Sequence, residues 1–162
     1  MLSTAVITIS DKGSRGERED ISGPLLVEML KENNFDVTTT SIIPDEKEMI
    51  ESTLIDLSNK NIALILTTGG TGFAPRDITP EATKAVIERE TPGLSEIMRA
   101  ESMKITPFGC LSRGVSGIRH NSLIINLPGS PKAVRENLGF IMPALGHGLD
   151  IMLGRDGECG SN

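Results

Sequence analysis

The chain has 162 residues, 38% of them hydrophobic, and a formal net charge of −6 at pH 7. That length suits one domain with a substantial core, and the acidic balance argues against a broad nucleic-acid-binding face. No apolar run approaches the roughly 20 residues of a membrane-spanning helix, and no export signal precedes the first strand-like segment, so a cytoplasmic protein with no membrane partner is expected. Cys110 and Cys159 lie far apart without metal-ligand spacing, which favours reduced thiols. Trp and Tyr are absent, so any base stacking would fall to a phenylalanine or an aliphatic surface.

Residues 5–9 (AVITI) read as a buried strand, followed by a polar, charged loop over residues 10–20. Leu25, Leu26, Met29 and Leu30 then recur at helical spacing behind Pro24. Asn33-Asn34 is the turn before a second strand over residues 37–43. Met49, Ile50, Thr53, Leu54 and Leu57 mark an amphipathic helix, and residues 62–66 (IALIL) a third strand. A helix capped by Thr79 with Pro80 in its first turn turns Ala82, Ala85 and Val86 to the core. Thr91-Pro92-Gly93 breaks it, and Leu94, Ile97 and Met98 suggest another. Residues 115–118 and 123–127 flank the turn Arg119-His120-Asn121 as a hairpin. The last helix starts at Ser130-Pro131, uses Val134, Leu138 and Ile141, and should kink or end at Pro143. Alternation of strands and helices predicts an α/β domain over residues 1–153, its mainly parallel sheet covered on both faces, with 154–162 a loose tail.

In such folds ligands bind at the carboxyl ends of the strands, and four distinctive loops fall there. Ser10 to Gly16 mixes hydroxyls, acid and bases that suit a nucleotide or simply a solvated loop. In Ile43-Pro44-Asp45, Asp45 suits a metal ion, or a helix cap in a capping box with Glu48. The stretch Thr67-Thr68-Gly69-Gly70-Thr71-Gly72, with Arg76-Asp77 after it, is the most informative. Its glycines let backbone N–H groups approach a phosphate, and Arg76 and Asp77 add a cation and a carboxylate, unless they merely pair with each other. It is neither a P-loop nor the dinucleotide fingerprint. In Pro128-Gly129-Ser130-Pro131-Lys132, Ser130 can cap a helix whose free amides, with Lys132 nearby, offer an anion site. Ser112-Arg113 precedes the hairpin as a candidate donor pair or a plain surface pair. His120 and His147 have no third ligand at useful spacing.

These motifs, in order Ile9-Ser10-Asp11, Ile43-Pro44-Asp45, the Thr67–Gly72 stretch with Arg76-Asp77-Ile78-Thr79-Pro80-Glu81-Ala82-Thr83, Leu111-Ser112-Arg113 and Leu127-Pro128-Gly129-Ser130-Pro131, resemble the molybdopterin adenylyltransferases of molybdenum-cofactor biosynthesis. This is the MogA/MoaB type, found also as a domain of gephyrin-like proteins, and the likeness runs over nearly the whole chain. The resemblance implies a three-layer α/β/α sandwich, a homotrimer, and transfer of AMP from Mg-ATP to the molybdopterin phosphate with release of pyrophosphate. It places the family's two important aspartates on Asp45 and Asp77, which would position Mg²⁺. It implies substrate contacts for Ser10, Asp11, Thr68, Gly69, Gly70, Thr71, Gly72, Arg76, Ser112, Pro128, Gly129, Ser130 and Lys132, with Arg113 a further charge partner. It also implies transient contact with the molybdenum-insertion enzyme. The competing expectations are a paralogue that binds molybdopterin without catalysis and the metal-insertion branch, whose members carry additional domains.

Overall fold

The computed structural model describes residues 1–155; beyond Arg155, the tail expected to be loose lies outside the described residues, as does Cys159. Strand β1 is Leu2–Ile9, β2 Phe35–Ile43, β3 Leu64–Thr68, β4 Arg89–Glu90, β5 Ser116–Arg119 and β6 Ser122–Leu127. They form one sheet in the order β2-β1-β3-β6-β5-β4. The first four in that order run parallel. Strands β5 and β6 form the expected antiparallel hairpin, with His120 of its turn at positive φ, and β4 adds two residues at the edge.

Side chains alternate across the sheet as the pleat requires. Val6, Leu64, Leu66, Ile125 and Leu127 face one core with Leu26 and Leu30 of α2 (Ser22–Glu32), Met98 of α5 (Pro92–Ile105) and the apolar stripe of α6 (Pro131–Met152). Ala5, Ile7, Ile65 and Ile124 face the other with Ile50, Leu54 and Leu57 of α3 (Lys47–Asn59) and Ala82 and Val86 of α4 (Thr79–Val86). The result is the expected three-layer sandwich. Among the described residues no helix is long and apolar enough to cross a membrane.

Several boundaries differ from the sequence expectation. Strand β3 ends at Thr68, not Leu66, because Thr67 and Thr68 are buried and pair with Ile7–Thr8 and Asn126–Leu127. The polar loop after β1 contains one helical turn, α1 (Asp11–Ser14). A 3-10 helix, Pro107–Leu111, follows α5. Pro143 does not end α6. The helix continues to Met152 because Leu145 and Leu149 bury on the same stripe as Val134, Leu138 and Ile141. It stops where Gly154, at φ 66°, donates to Ile151 O and Arg155 donates to Asp150 O, a left-handed glycine closure.

Among the described residues, strand β2 has one open edge. Its register with β1 slips by a residue, from Thr4 opposite Val37 to Ala5 opposite Thr39, leaving Thr38 as an extra residue.

Candidate active site

The loops after β1, β2, β3 and β6 meet at the carboxyl rim of the sheet. The loop after β3 carries Gly69 and Gly70 at φ 101° and 68°, the left-handed region that glycine adopts without strain. A side chain at Gly69 would strike Ile9 O, and one at Gly70 would strike Thr79 Oγ1. Thr79 is not the cap of α4. Ile78 stands at that position, and the buried Thr79 hydroxyl donates to Gly69 O at 3.0 Å while its N–H donates to Gly70 O. The loop is bound to β6 as well: Gly69 N–H donates to Leu127 O and Thr68 Oγ1 to Pro128 O. With those carbonyls engaged, the N–H groups of Gly70, Thr71 and Gly72 have no protein acceptor among the described residues.

Asp45 does not cap α3 either. Glu46 is at the cap position, with no side-chain cap bond. Asp45 Oδ2 instead accepts the Asp11 N–H at 2.9 Å, and Asp45 N–H donates back to Asp11 Oδ1 at 3.1 Å. This exchange locks the loop after β1 to the loop after β2. Arg76 closes the lock. Its Nε donates to Asp11 Oδ2 at 2.6 Å, and its Nη2 donates to Glu46 Oε1 and Asp45 O. Arg76 therefore pairs with Asp11 and Glu46, not with its neighbour Asp77. These bonds hold the Asp11 carboxyl below its ordinary value. Burial pushes the Asp45 carboxyl up, and the Asp11 and Asp77 carboxylates add to the rise.

Asp77 Oδ2 accepts the Ala74 N–H at 3.0 Å and lies 2.9 Å from where a Gly72 side chain would begin. Asp45 Oδ1 lies 3.0 Å from the corresponding position at Gly70. Both carboxylates thus lie against the glycine loop, in space that side chains there would fill.

Two hollows adjoin at this place. One, of about 540 Å³, lies between the loops after β1, β3 and β6 and includes Ser10, Asp45, Thr68, Gly69 and Ser130 in its wall. The other, of about 510 Å³, runs between the glycine loop, α5, the 3-10 helix and α6, and includes Thr71, Gly72, Ser112 and Pro128. Gly70, Asp77 and Gly129 belong to both walls and form the saddle between them. The first hollow also receives the start of α6, where the Ser130 hydroxyl accepts the Ala133 N–H as a cap, as expected.

Of the residues expected at the site, Asp11, Arg76 and Lys132 do not line either hollow. Asp11 and Arg76 brace Asp45 from behind. Lys132 is 79% exposed, close to Glu136, and borders a separate depression beside Arg135. Arg113, expected as a charge partner, is turned into the protein, bonded to Glu81 and to loop carbonyls.

Other wall residues escaped the sequence reading. Asp20 accepts from Thr8 Oγ1 at 2.7 Å and from the Gly23 N–H, fixing the start of α2 against the sheet. Asp three residues before Gly23 and close to Pro24 is a capping pattern that could have been noticed. Arg99 and Asn137 on the wall of the second hollow look like ordinary helix polars, with no local signal.

The geometry defines an α/β domain that gathers bare backbone amides, a helix start and two carboxylates at one rim, a class suited to holding phosphate groups. Residues 5–147 match the family described as "Probable molybdopterin binding domain", and the chain belongs to that family. It is 45% identical over 152 residues to the molybdopterin adenylyltransferase of Helicobacter pylori strain J99, covering 92% of this chain and 86% of that protein. It is 43% identical over 157 residues to gephyrin of Dictyostelium discoideum, covering 91% of this chain and 22% of that longer protein. Its fold is similar to the crystal structure of the molybdopterin biosynthesis enzyme MoaB from Thermus thermophilus. The TM-score is 0.90 at 46% identity, over 95% of this chain and 98% of that chain.

Proposed function

We propose that this chain is a molybdopterin adenylyltransferase, a nucleotidyltransferase that joins AMP from ATP to the terminal phosphate of molybdopterin and releases pyrophosphate. The observation that carries this reading is the saddle: Asp77 stands between two adjoining hollows, each of a size for one small molecule, beside the unbonded amides of Gly70 to Gly72. One hollow takes the nucleotide and the other the pterin, so that their phosphates meet at Gly70, Asp77 and Gly129. A phosphate oxygen of molybdopterin attacks the α-phosphorus of ATP, and the bond to the β-phosphate breaks. The nucleophile is already an anion, so no strong general base is required. The barrier is electrostatic, and preorganised amides aimed at the phosphoryl oxygens lower it.

The donor set fits Mg²⁺. Among the described residues no cluster of three His, Cys, Asp or Glu side chains could cage a metal alone. Mg²⁺ characteristically binds one or two carboxylates and completes its shell with phosphate oxygens and water. Burial, and after it the nearby Asp11 and Asp77 carboxylates, raise the Asp45 carboxyl, and a cation there would relieve that crowding of negative charge. Asp45 and Asp77 would hold the ion, which when bound neutralises the triphosphate and the departing pyrophosphate. Ser10, Thr68, Thr71, Ser112 and Ser130 supply hydroxyls to the walls. This reading carries with it a cytoplasmic homotrimer that hands its product to the molybdenum-insertion enzyme by transient contact.

The test is pyrophosphate release on mixing the protein with molybdopterin and Mg-ATP. Turnover is expected. Binding of molybdopterin without pyrophosphate would make the chain a binding paralogue instead.

A further inference from the structure

Arg113 lies outside both hollows, in the segment between the 3-10 helix and β5. It nevertheless holds both ends of the excursion that carries Asp77. Its backbone N–H donates to Thr71 O at 2.8 Å, its Nε to Gly72 O at 2.8 Å, and its Nη2 to Asp77 O at 2.8 Å. The guanidinium also forms an ion pair with Glu81, in the first turn of α4. One planar fork thus joins residue 72, residue 77 and residue 81. A Lys ammonium, as a point charge on a flexible stem, could not reproduce that geometry.

The Arg113 segment is itself fixed to the core. Asn126, 2% exposed in β6, accepts the Val115 N–H with Oδ1 and donates through Nδ2 to Thr67 of β3 and Thr83 of α4. Arg99 Nη1 donates to Gly114 O at 2.8 Å. Position is therefore passed from the buried strands through residues 113–115 to the loop bearing Asp77. Among the described residues the other bonds of Asp77 itself run only to Ala74, while its neighbour Arg76 is tied to Asp11, Glu46 and Asp45 O. Without the fork, the excursion would still be tied by Arg76 to Asp11 and Glu46, by Thr71 O to the Arg113 backbone N–H and by Thr79, but among the described residues nothing would hold the carbonyls of Gly72 and Asp77 themselves.

We propose that Arg113, supported by Glu81, is a positioning residue that sets the placement of Asp77 on the saddle, without touching either substrate. The proposal rests on the adenylyltransferase reading for its effect on rate, but not for its effect on the loop.

The experiment measures steady-state pyrophosphate release and amide hydrogen exchange on Arg113→Ala, Arg113→Lys and Glu81→Gln. For Arg113→Ala, kcat should fall on the order of 10- to 100-fold, the usual scale for removing a group that orients a metal-binding or reacting side chain. KM for ATP and molybdopterin should change little, since no direct substrate contact is lost. Exchange should rise at Ala74 and Asp77, whose N–H groups bond across the excursion, and stay at the wild-type level in β1 and β3. Arg113→Lys should follow Arg113→Ala, and free guanidinium ion, but not ammonium, should restore part of the lost kcat. Should Arg113→Ala fail to fold, Arg113→Lys and Glu81→Gln decide. Wild-type exchange at Ala74 and Asp77 of the variants overturns the proposal, as does an unchanged kcat when the wild type is active. If the wild type itself releases no pyrophosphate, the function assigned above fails, and the exchange arm alone judges Arg113.

Discussion

Asp45 stands two residues before α3 and caps nothing, although its spacing to Glu48 fits a capping box. A partner 34 residues away decides the matter, because the exchange with Asp11 satisfies two N–H groups at once. The carboxyl remains partly desolvated and faces two like charges, so its affinity for a proton exceeds the ordinary value of 3.8. The folded state then binds this proton more tightly than the unfolded chain does. Stability from this group falls as pH rises from about that ordinary value through the raised one. Asp11 and Glu81 have the opposite sign. Arg76 and Arg113 hold them below their usual values, so their contribution is present at neutral pH and lost on acidification. Asp45→Asn should therefore melt at or above the wild-type temperature at pH 7, with the advantage shrinking toward pH 4, while pyrophosphate release collapses. A lower melting temperature with unaltered turnover would remove Asp45 from the chemistry. Asp77→Asn should leave the melt almost unchanged and lower kcat by roughly 100- to 1,000-fold, the scale for losing one preorganised electrostatic group. Steady-state assays and thermal melts on the same preparation check both.

At the scale of elements, the sequence was legible wherever burial imposes a period. All four parallel strands, the hairpin and the five longer helices leave apolar spacing that one stretch of chain displays alone. The two misjudged ends have one cause. Thr67 and Thr68 are polar by composition yet fully buried, because partners about 60 residues on satisfy their hydroxyls: Asn126 Nδ2 donates to Thr67 Oγ1, and Thr68 Oγ1 donates to Pro128 O. Thr79 likewise looks like a cap but bonds a loop carbonyl. The glycine loop could be recognised from residue types, whereas the brace of Arg76 on Asp11 and the turning-in of Arg113 could not, since each depends on partners more than 30 residues distant. Pro143 shows the converse: a local rule was read correctly and then outweighed by packing. Its missing N–H leaves α6 short of one bond to the carbonyl of Gly139, and Pro143 is exposed. Pro143→Ala should raise stability by about 2 kcal/mol after allowing for the looser unfolded chain. A denaturant titration measures it, and a loss of stability would mean that the proline shapes the path of the helix.

For the whole molecule, Ile97, Met103, Ile105, Phe108 and Leu111 are exposed along α5 and the 3-10 helix, beside the second hollow. A homotrimer would give such apolar surface a partner. Light scattering should then return three times the 17.3 kDa of one chain. A monomer mass would leave the site to be completed within a single chain.

The far side of the molecule has a different problem to solve. Strand β2 presents nine residues of outer ladder, rich in threonine and isoleucine, with no neighbour beyond it among the described residues. A straight ribbon of that kind is a template on which further chains can stack into fibrils. The surplus Thr38 breaks the rhythm of its donors and acceptors midway, so an incoming strand that matches one half falls out of step with the other.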